Sequence, residues 1–505
     1  MLAKINSYGL AGLSGYKIDV EVDINLGLPG YDVVGLPDAA VKESKERVHS
    51  AIKNSLLTFP KHKITVNLAP ANTKKEGPSF DLAIAVSILV ASEQVKQKAA
   101  SEYVMLGELG LDGKIKSVRG ILPLLISARE KGYTKFIIPA ENRPEASYIT
   151  GVTVYAMENL SDVVSLLNGT KTFEAVKNRT WHIDNTYAAE DFSRVKGQHA
   201  VKRAMEIAVS GGHNILLSGP PGAGKTMLAR CVPGILPDLT FEEALEITKI
   251  HSIAGVLDPD KGVVTSRPFR APHHTATNVS LIGGGRDSKP GEVSLAHNGV
   301  LFLDEMPEYS RSCVEALRQP LEDGVVTVAR ASATYEYPAN FILVASMNPC
   351  PCGNYGSKDL TCTCSMSQIN KYLKKISGPI LDRIDIKVDV DRVAFLDLTQ
   401  ESNEESSSEV KKRVDKAREI QRKRFEGTHV YCNAKMTSKQ VKEFCKLDQT
   451  SEQLLKVAFE RFNMSARGYT RILKVARTIA DLDGEQNILP KHIAEAINYR
   501  TTEKN

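Results

Sequence analysis

The sequence predicts an α/β fold in three parts, and three observations carry that reading. Strand-like and helix-like stretches alternate through most of the chain, a glycine-rich turn joins an apolar strand to a helix at residues 214–231, and residues 409–505 carry only helical patterns. A length of 505 residues fits about three domains. Hydrophobic residues make up 42% and charged residues 25%, which excludes collagen-like, disordered and disulfide-scaffold classes. The net charge of +5, from 65 Lys+Arg against 60 Asp+Glu, permits a polyanionic partner without requiring one. No apolar run reaches the ~18–20 residues of a membrane span, and residues 1–10 lack a signal-peptide core. Of eight cysteines, Cys231, Cys313, Cys432 and Cys445 are scattered and four are bunched, the usage of a reducing compartment with a metal site. A cytoplasmic protein with no membrane association is expected.

Taken in order, residues 18–24 (IDVEVDI) alternate apolar and polar, as a half-buried strand does. Residues 39–55 have helical spacing, 63–68 (KITVNL) read as a strand, 80–91 as an apolar helix, and 135–139 (KFIIP) as a buried strand ended by proline. Together they make residues 1–168 an α+β domain. Residues 169–190, polar around Trp181, read as a linker, and 191–395 as a second α/β domain. Residues 396–408 fall largely in the acidic, serine-rich run TQESNEESSSE and read as a second linker. Residues 409–505 form a helical domain with amphipathic stretches at 410–424 and 470–482.

Chemistry concentrates at Gly219-Pro220-Pro221-Gly222-Ala223-Gly224-Lys225-Thr226, which fits G-x-x-x-x-G-K-[ST] between an apolar strand (NILLS) and a helix. In that context backbone N–H groups cradle phosphates at a helix N-terminus, Lys225 reaches the terminal phosphates, and the Thr226 hydroxyl binds Mg²⁺. Residues 299–305 (GVLFLDE) are an apolar strand ending in two carboxylates. Asp304 is placed to hold Mg²⁺ through water and Glu305 to polarise an attacking water. A third strand (FILVAS) delivers Asn348, which either orients the water or contacts the γ-phosphate. The expected cofactors are therefore ATP and Mg²⁺. Directly beyond Asn348, Cys350, Cys352, Cys362 and Cys364 form two C-x-C pairs, a donor set for one tetrahedral Zn²⁺ that staples the loop. His273 and His274 lack a third nearby ligand and read as structural.

The three-strand set resembles the AAA+ ATPases. FRAPHHTATNVS, PGEVSLAHNGVLFLDE, QPLED and GPILDRID resemble the magnesium-chelatase-like group, and the whole chain resembles the YifB/ComM family. That resemblance implies a central AAA+ ATPase domain, a C-terminal helical lid, and a ring, hexameric, driven by Mg-ATP. It implies action on single-stranded or branched DNA and branch migration in recombination during natural transformation. It makes Arg383 of L-D-R-I the arginine finger of the neighbouring subunit's site and Arg467 the sensor-2 residue of the lid, with Arg471 a competitor one turn later. Residues 324–338 read as two alternating strands around a tip and resemble the pre-sensor hairpin of replicative helicases, with Arg330 as the basic tip. A second insert, 273–290, offers Arg286 and Lys289 as further DNA contacts. In the first domain, KEGPSFD with GELGLDG resembles Lon proteases. Ser79 falls on the nucleophile, but Leu122 stands where the lysine belongs, and Lys114 and Lys116 lie earlier, so a Lon-protease-like fold without proteolysis is expected. Three rival readings are a metal-chelatase motor, an ATP-dependent protease, and a protein remodeller with Tyr335 or Tyr337 as a pore aromatic.

Overall fold

The structure is a computed structural model and describes residues 2–184, 190–285, 288–329, 334–357, 360–392 and 404–500. The chain forms two compact units, Met1–His182 with Phe241–Thr265, and Ile183–Thr240 with Ser266–Asn505.

The first unit holds strands β1 (Leu2–Ala11), β2 (Ser14–Asn25) and β3 (Gly30–Val34), helix α1 (Ser44–Asn54), β4 (Lys63–Ala69), and helix α2 (Asp81–Ala91). Strands β5 (Val104–Met105), β6 (Glu108–Leu109) and β7 (Ile115–Lys116), helix α3 (Ile121–Glu130), β8 (Lys135–Pro139) and β9 (Thr153–Met157) follow. Seven of the strands form one sheet in the order β3-β4-β2-β1-β5-β8-β9. The alternation in β2 sends Ile18, Val20 and Val22 into the core, each with no exposed surface. Every residue of α2 is buried, which is why its sequence is apolar all round. Its one charge, Asp81, pairs with Arg47 at 2.6 Å. The helix expected over 39–55 is split at Glu43 into Ala39–Lys42 and α1. Asp38 starts the first piece: one carboxylate oxygen caps its first turn at Val41 N (2.8 Å) and the other accepts from Gly77 N (3.0 Å).

Residues 241–265 lie inside the segment read as the ATPase domain, yet they fold with the first unit. Their helix, Phe241–Ala254, reaches α3 through Ser252, whose hydroxyl donates to the buried Glu145 (2.8 Å) and accepts from Gly120 N (3.1 Å). Trp181, from the expected linker, donates Nε1–H to the Val264 carbonyl (3.1 Å) and packs 5.8 Å from the Phe241 ring. The polar stretch around Trp181 is thus folded onto this excursion at its end.

The second unit contains helix α4 (His199–Gly211), β10 (Ile215–Ser218), α5 (Lys225–Cys231), β11 (Phe269–Arg270), and the pair β12 (Gly283–Gly284) and β13 (Lys289–Pro290). Next come β14 (Val300–Leu303), the hairpin β15 (Val325–Ala329) and β16 (Thr334–Pro338), and β17 (Ile342–Met347). Helix α6 (Met366–Leu373), β18 (Ile386–Asp389), and helices α7 (Ser407–Arg424), α8 (Gln449–Arg461), α9 (Ala466–Leu482) and α10 (Pro490–Asn498) complete it. The main sheet is parallel, in the order β11-β14-β17-β10-β18. Ile207, Ile215, Leu217, Val414, Ile472, Ile479 and Ile493 share one core, so the C-terminal helices are packed into the unit that holds this sheet.

Of the linker expected at 396–408, residues 396–403 lie outside the described residues. The remainder differs from the expectation, since α7 already begins at Ser407. Ser406 and Glu409 form a capping box, Ser407 Oγ accepts from Phe192 N (2.9 Å), and Glu404 makes a buried ion pair with Lys202. Serines and glutamates that suggest a solvated loop are here a helix cap and its anchor. No helix among the described residues is long and apolar enough to cross a membrane.

Candidate functional site

Strands β10, β17 and β14 are adjacent and parallel, so the turns at their C-terminal ends converge on one edge, the position where ligands bind in open α/β sheets. The glycine-rich turn leaves β10. Gly222 (φ 77°) and Gly224 (φ 87°) occupy the left-handed region that glycine adopts without strain, and Gly224 opens α5. Gly219 is required for a different reason: a side-chain carbon there would lie 2.2 Å from the Val390 carbonyl oxygen. Lys225 is 8% exposed. Its ammonium donates to the carbonyls of Gly219 (2.6 Å) and Pro220 (2.9 Å) and to Asn348 Oδ1 (3.0 Å). Burial holds its pKa below the ordinary value, with Asp304 and Glu305 pulling the other way.

Thr226 Oγ1 donates to Asp304 Oδ2 (2.8 Å), which brings a hydroxyl and a carboxylate together as a hard-cation donor set. Asp304 is also held by Ser346 Oγ of β17. Glu305 is exposed and lies in the left-handed region (φ 50°), a cost of about 1–3 kcal/mol that its backbone bond to Ser346 Oγ (2.9 Å) helps to sustain. The described geometry therefore brings Lys225, Thr226, Asp304 and Asn348 into contact and leaves the Glu305 carboxylate free to face solvent. A cavity of about 610 Å³ opens beside the turn, bordered by Ser218, Gly219, Pro220, Pro349, Gly353 and Tyr355.

Arg383 lies at the opposite edge of the sheet. Its carbonyl accepts from Asn214 Nδ2 (2.9 Å), and Asn214 precedes β10, whose other end leads to Gly219. Five residue steps separate them, about 16 Å of extended chain. The guanidinium of Arg383 donates to the Pro379 carbonyl (2.8 Å) and pairs with Glu322, and Glu322 also meets Arg467 (3.6 Å). Arg471 pairs with the buried Asp385, which His213 approaches at 3.4 Å. Burial alone would raise the Asp385 carboxyl, but Arg471 and His213 hold it well below the usual carboxylate range. Burial, with the charges of Arg318, Arg467 and Arg471, lowers Arg383. Arg318, Arg383, Arg467 and Arg471 thus gather in one region, with Glu322, Glu315 and Asp385 set among them.

The four bunched cysteines converge, with their sulfurs all within 4.8 Å of one another. The separations Cys350–Cys352, Cys350–Cys362 and Cys352–Cys362 are 3.4, 3.7 and 3.6 Å. A tetrahedron with Zn–S of ~2.3 Å has sulfurs about 3.8 Å apart, so the set fits that ion. The backbone N–H groups of Asn354 and Thr363 hold the Cys352 thiol down to about 5. Among the described residues no other group of three or more such donors converges. His273 and His274 pack ring to ring, and His273 Nδ1 bonds Thr275 (2.9 Å).

Of the proposed DNA contacts, Arg286 and Arg330 lie outside the described residues, and Lys289 is half-buried at the start of β13. The two hairpins that carry them pack together, through the Tyr337 hydroxyl donating to the Ser288 carbonyl (2.8 Å). Tyr337 is buried by that bond and is not a pore aromatic; Tyr335 remains half-buried. In the first unit Leu122 is wholly buried among apolar neighbours, and Lys75, four residues before Ser79, spends its ammonium on the carbonyls of Pro70 and Thr73. Leu122 has no titratable group, and the Lys75 ammonium is already bonded to two carbonyls.

A five-stranded parallel sheet in this order, with a phosphate-binding turn, a paired-carboxylate strand and a polar strand end beside it, defines a P-loop ATPase of the AAA+ class. Family models extend that result along the chain. One described as magnesium chelatase, subunit ChlI matches residues 191–398, one described as subunit ChlI of Mg-chelatase matches 20–142, and one described as subunit ChlI C-terminal matches 404–500. Competence protein ComM of Haemophilus influenzae is 42% identical over 505 residues, 99% of this chain and 97% of its own. The uncharacterized protein YifB of Escherichia coli is 42% identical over 505 residues, 100% of this chain and 98% of its own. The chain belongs to the YifB/ComM family of magnesium-chelatase-like AAA+ ATPases. A Lon protease of Buchnera aphidicola is 30% identical over 111 residues, 21% of this chain and 14% of its own. Membership carries ATP and Mg²⁺ with it, and the Lys225, Thr226 and Asp304 cluster fits both.

Sequence reasoning missed Asn214, Glu322, Ser346 and the 241–265 excursion. Asn214 ties β10, Arg383 and β17 together, its Oδ1 accepting from Leu343 N (2.9 Å), but a lone Asn before an apolar strand carries no signal. Glu322 stood within QPLED, a segment quoted only for resemblance.

Proposed function

We propose that the chain forms a ring, hexameric, in which Mg-ATP hydrolysis drives movement on single-stranded or branched DNA and so promotes branch migration during natural transformation. The observation that carries the reading is the division of the catalytic set between two edges of one sheet. Lys225, Asp304, Glu305 and Asn348 occupy one edge, while Arg383 sits at the start of β10, about 16 Å away along the strand, with Arg467 and Arg471 near it. Such a site is completed only by a second copy, whose arginines face the first copy's phosphates. ATP with Mg²⁺ supplies the transferring phosphoryl group. Lys225 exchanges its carbonyl partners for phosphate oxygens, Thr226 and Asp304 hold the metal side, Glu305 polarises water, Asn348 orients it, and Arg467 is read as the lid arginine in preference to Arg471, because Arg467 is exposed with only a loose contact to Glu322 while Arg471 is committed to the buried Asp385. Action on DNA is supported by the competence name of a full-length relative and by two adjacent strand pairs, β12–β13 and β15–β16, between whose strands the sequence carries Arg286 and Arg330, with Lys289 at the start of β13. The cysteine cluster is read as a structural Zn²⁺ site, the first unit as a non-proteolytic assembly or DNA-contact module, and the location as the cytoplasm.

The test is ATP hydrolysis with and without single-stranded, duplex and branched DNA. Stimulation by DNA, greatest with branched substrates, is expected. Hydrolysis indifferent to all three would reject the DNA motor and turn attention to a chelatase-like or protein-remodelling role.

A further inference from the structure

The loop that carries the cysteines leaves β17 beside the loop that binds phosphate. Ser218 and Met347 are register partners at the ends of β10 and β17, and Gly219 N donates to the Met347 carbonyl (3.2 Å). One residue on, Asn348 accepts from Lys225; two further, Cys350 is fully buried. The chain then turns so that Gly353, at φ 79°, rests on Pro221 of the phosphate-binding turn: a side-chain carbon at Gly353 would lie 2.3 Å from Pro221 Cδ. The cysteine loop therefore touches the phosphate-binding turn from outside and, through Asn348, from within.

Apolar packing does not order this loop. Among described residues 351–365 only Gly353 is buried, the rest being exposed or intermediate. Fixing backbone costs conformational entropy at every residue, which so little burial leaves uncompensated. Four thiolates around one divalent metal ion supply binding energy that is also folding energy and so offset much of that cost. A backbone N–H already points at the cluster, Tyr355 N at Cys350 Sγ (3.3 Å), the kind of contact that stabilises a metal-bound thiolate.

We infer that metal bound by Cys350, Cys352, Cys362 and Cys364 is part of the nucleotide site itself: it holds Gly353 against Pro221 and Asn348 against Lys225, so the affinity for Mg-nucleotide depends on its occupancy. This rests on reading the cluster as a Zn²⁺ site and goes beyond it, because a zinc that only staples its own loop would leave nucleotide affinity unchanged.

Two measurements on the full chain separate the possibilities: zinc per chain by elemental analysis, and affinity for a slowly hydrolysed Mg-ATP analogue by titration. Wild-type protein should carry about one zinc per chain. Cys352→Ser with Cys364→Ser should lose it and bind nucleotide about tenfold more weakly or worse, and adding Zn²⁺ back to chelator-stripped wild type should restore affinity. Gly353→Ala covers the event that the cysteine variant does not fold. It keeps all four thiols and the zinc but presses a methyl group onto Pro221, so affinity should fall with zinc unchanged. Absence of zinc in the wild type would reject the metal site, and this inference with it. Zinc present, with unaltered nucleotide affinity in the stripped protein and in Gly353→Ala, would overturn the inference and leave the metal site standing.

Discussion

Lys225 and Glu305 stand a few ångströms apart in role and far apart in environment, and that difference predicts different failures. Lys225 is buried against three oxygens, and its ammonium is the only cation in contact with Asn348 among the described residues. Lys225→Ala should abolish nucleotide binding. Glu305 is exposed, acts on Lys225 only through its charge, and is set in place by a strained backbone whose N–H is held by Ser346 Oγ. Glu305→Gln should bind Mg-ATP as the wild type does while hydrolysis falls by about 10²-fold or more, measured as phosphate release against equilibrium binding. Turnover at the wild-type rate would remove Glu305 from the reaction. These residues were legible in the sequence because each sits at a fixed offset from an apolar strand, and strands carry their own signal. Glu322 and Asp385 were legible only as parts of quoted segments, because their partners, Arg383, Arg467 and Arg471, come from elements 61 to 145 residues away in the case of Glu322 and 86 in the case of Asp385 to Arg471.

At the scale of elements, the sequence reading succeeded where one pattern governed a whole segment and failed where a single polar residue redirected it. Strands β2, β4, β8, β10, β14 and β17 and the hairpin β15–β16 were expected close to where they lie. The helix expected over 39–55 breaks at Glu43, and the capping box of Ser406 with Glu409 starts the C-terminal helix at Ser407, two residues before the expected boundary, because a capping side chain outweighs the composition around it. The excursion 241–265 had no mark at all: its apolar residues read equally well as part of the ATPase core, and only the distant partners Trp181, Gly120 and Glu145 draw it away. That dependence is testable. Ser252→Ala removes one of the two side-chain donors to the buried Glu145, leaving Asn142 alone, and also the acceptor of Gly120 N–H. Burial already raises the Glu145 pKa, so the loss should destabilise the first unit by about 1–3 kcal/mol in urea unfolding, with nucleotide binding intact. Stability within error of wild type would mean the excursion is not anchored there.

Over the whole molecule, one strand links the two halves of the catalytic set. β10 carries the phosphate-binding turn at one end and, through Asn214, the Arg383 carbonyl at the other. In the proposed ring a chain would offer its nucleotide to one neighbour and its arginines to the next, a head-to-tail contact that gives a ring where the rotation closes. Arg383→Ala should therefore bind ATP nearly normally and hydrolyse it poorly, by about 10³-fold at a finger position. Mixed with Lys225→Ala it should regain part of the activity, since some interfaces then pair the intact turn of the Arg383→Ala chain with the intact finger of the Lys225→Ala chain. No amount of either protein alone can form that pairing. Arg330→Ala, at the basic residue the sequence singles out between β15 and β16, should keep basal hydrolysis and lose stimulation by DNA, with residual binding that weakens as salt rises. Activity measured across mixing ratios, after subunit exchange is demonstrated with labelled chains, decides the first point. A flat response at the level of the inactive parents would place the finger elsewhere, and undiminished DNA stimulation in Arg330→Ala would move the DNA contact to Arg286 and Lys289.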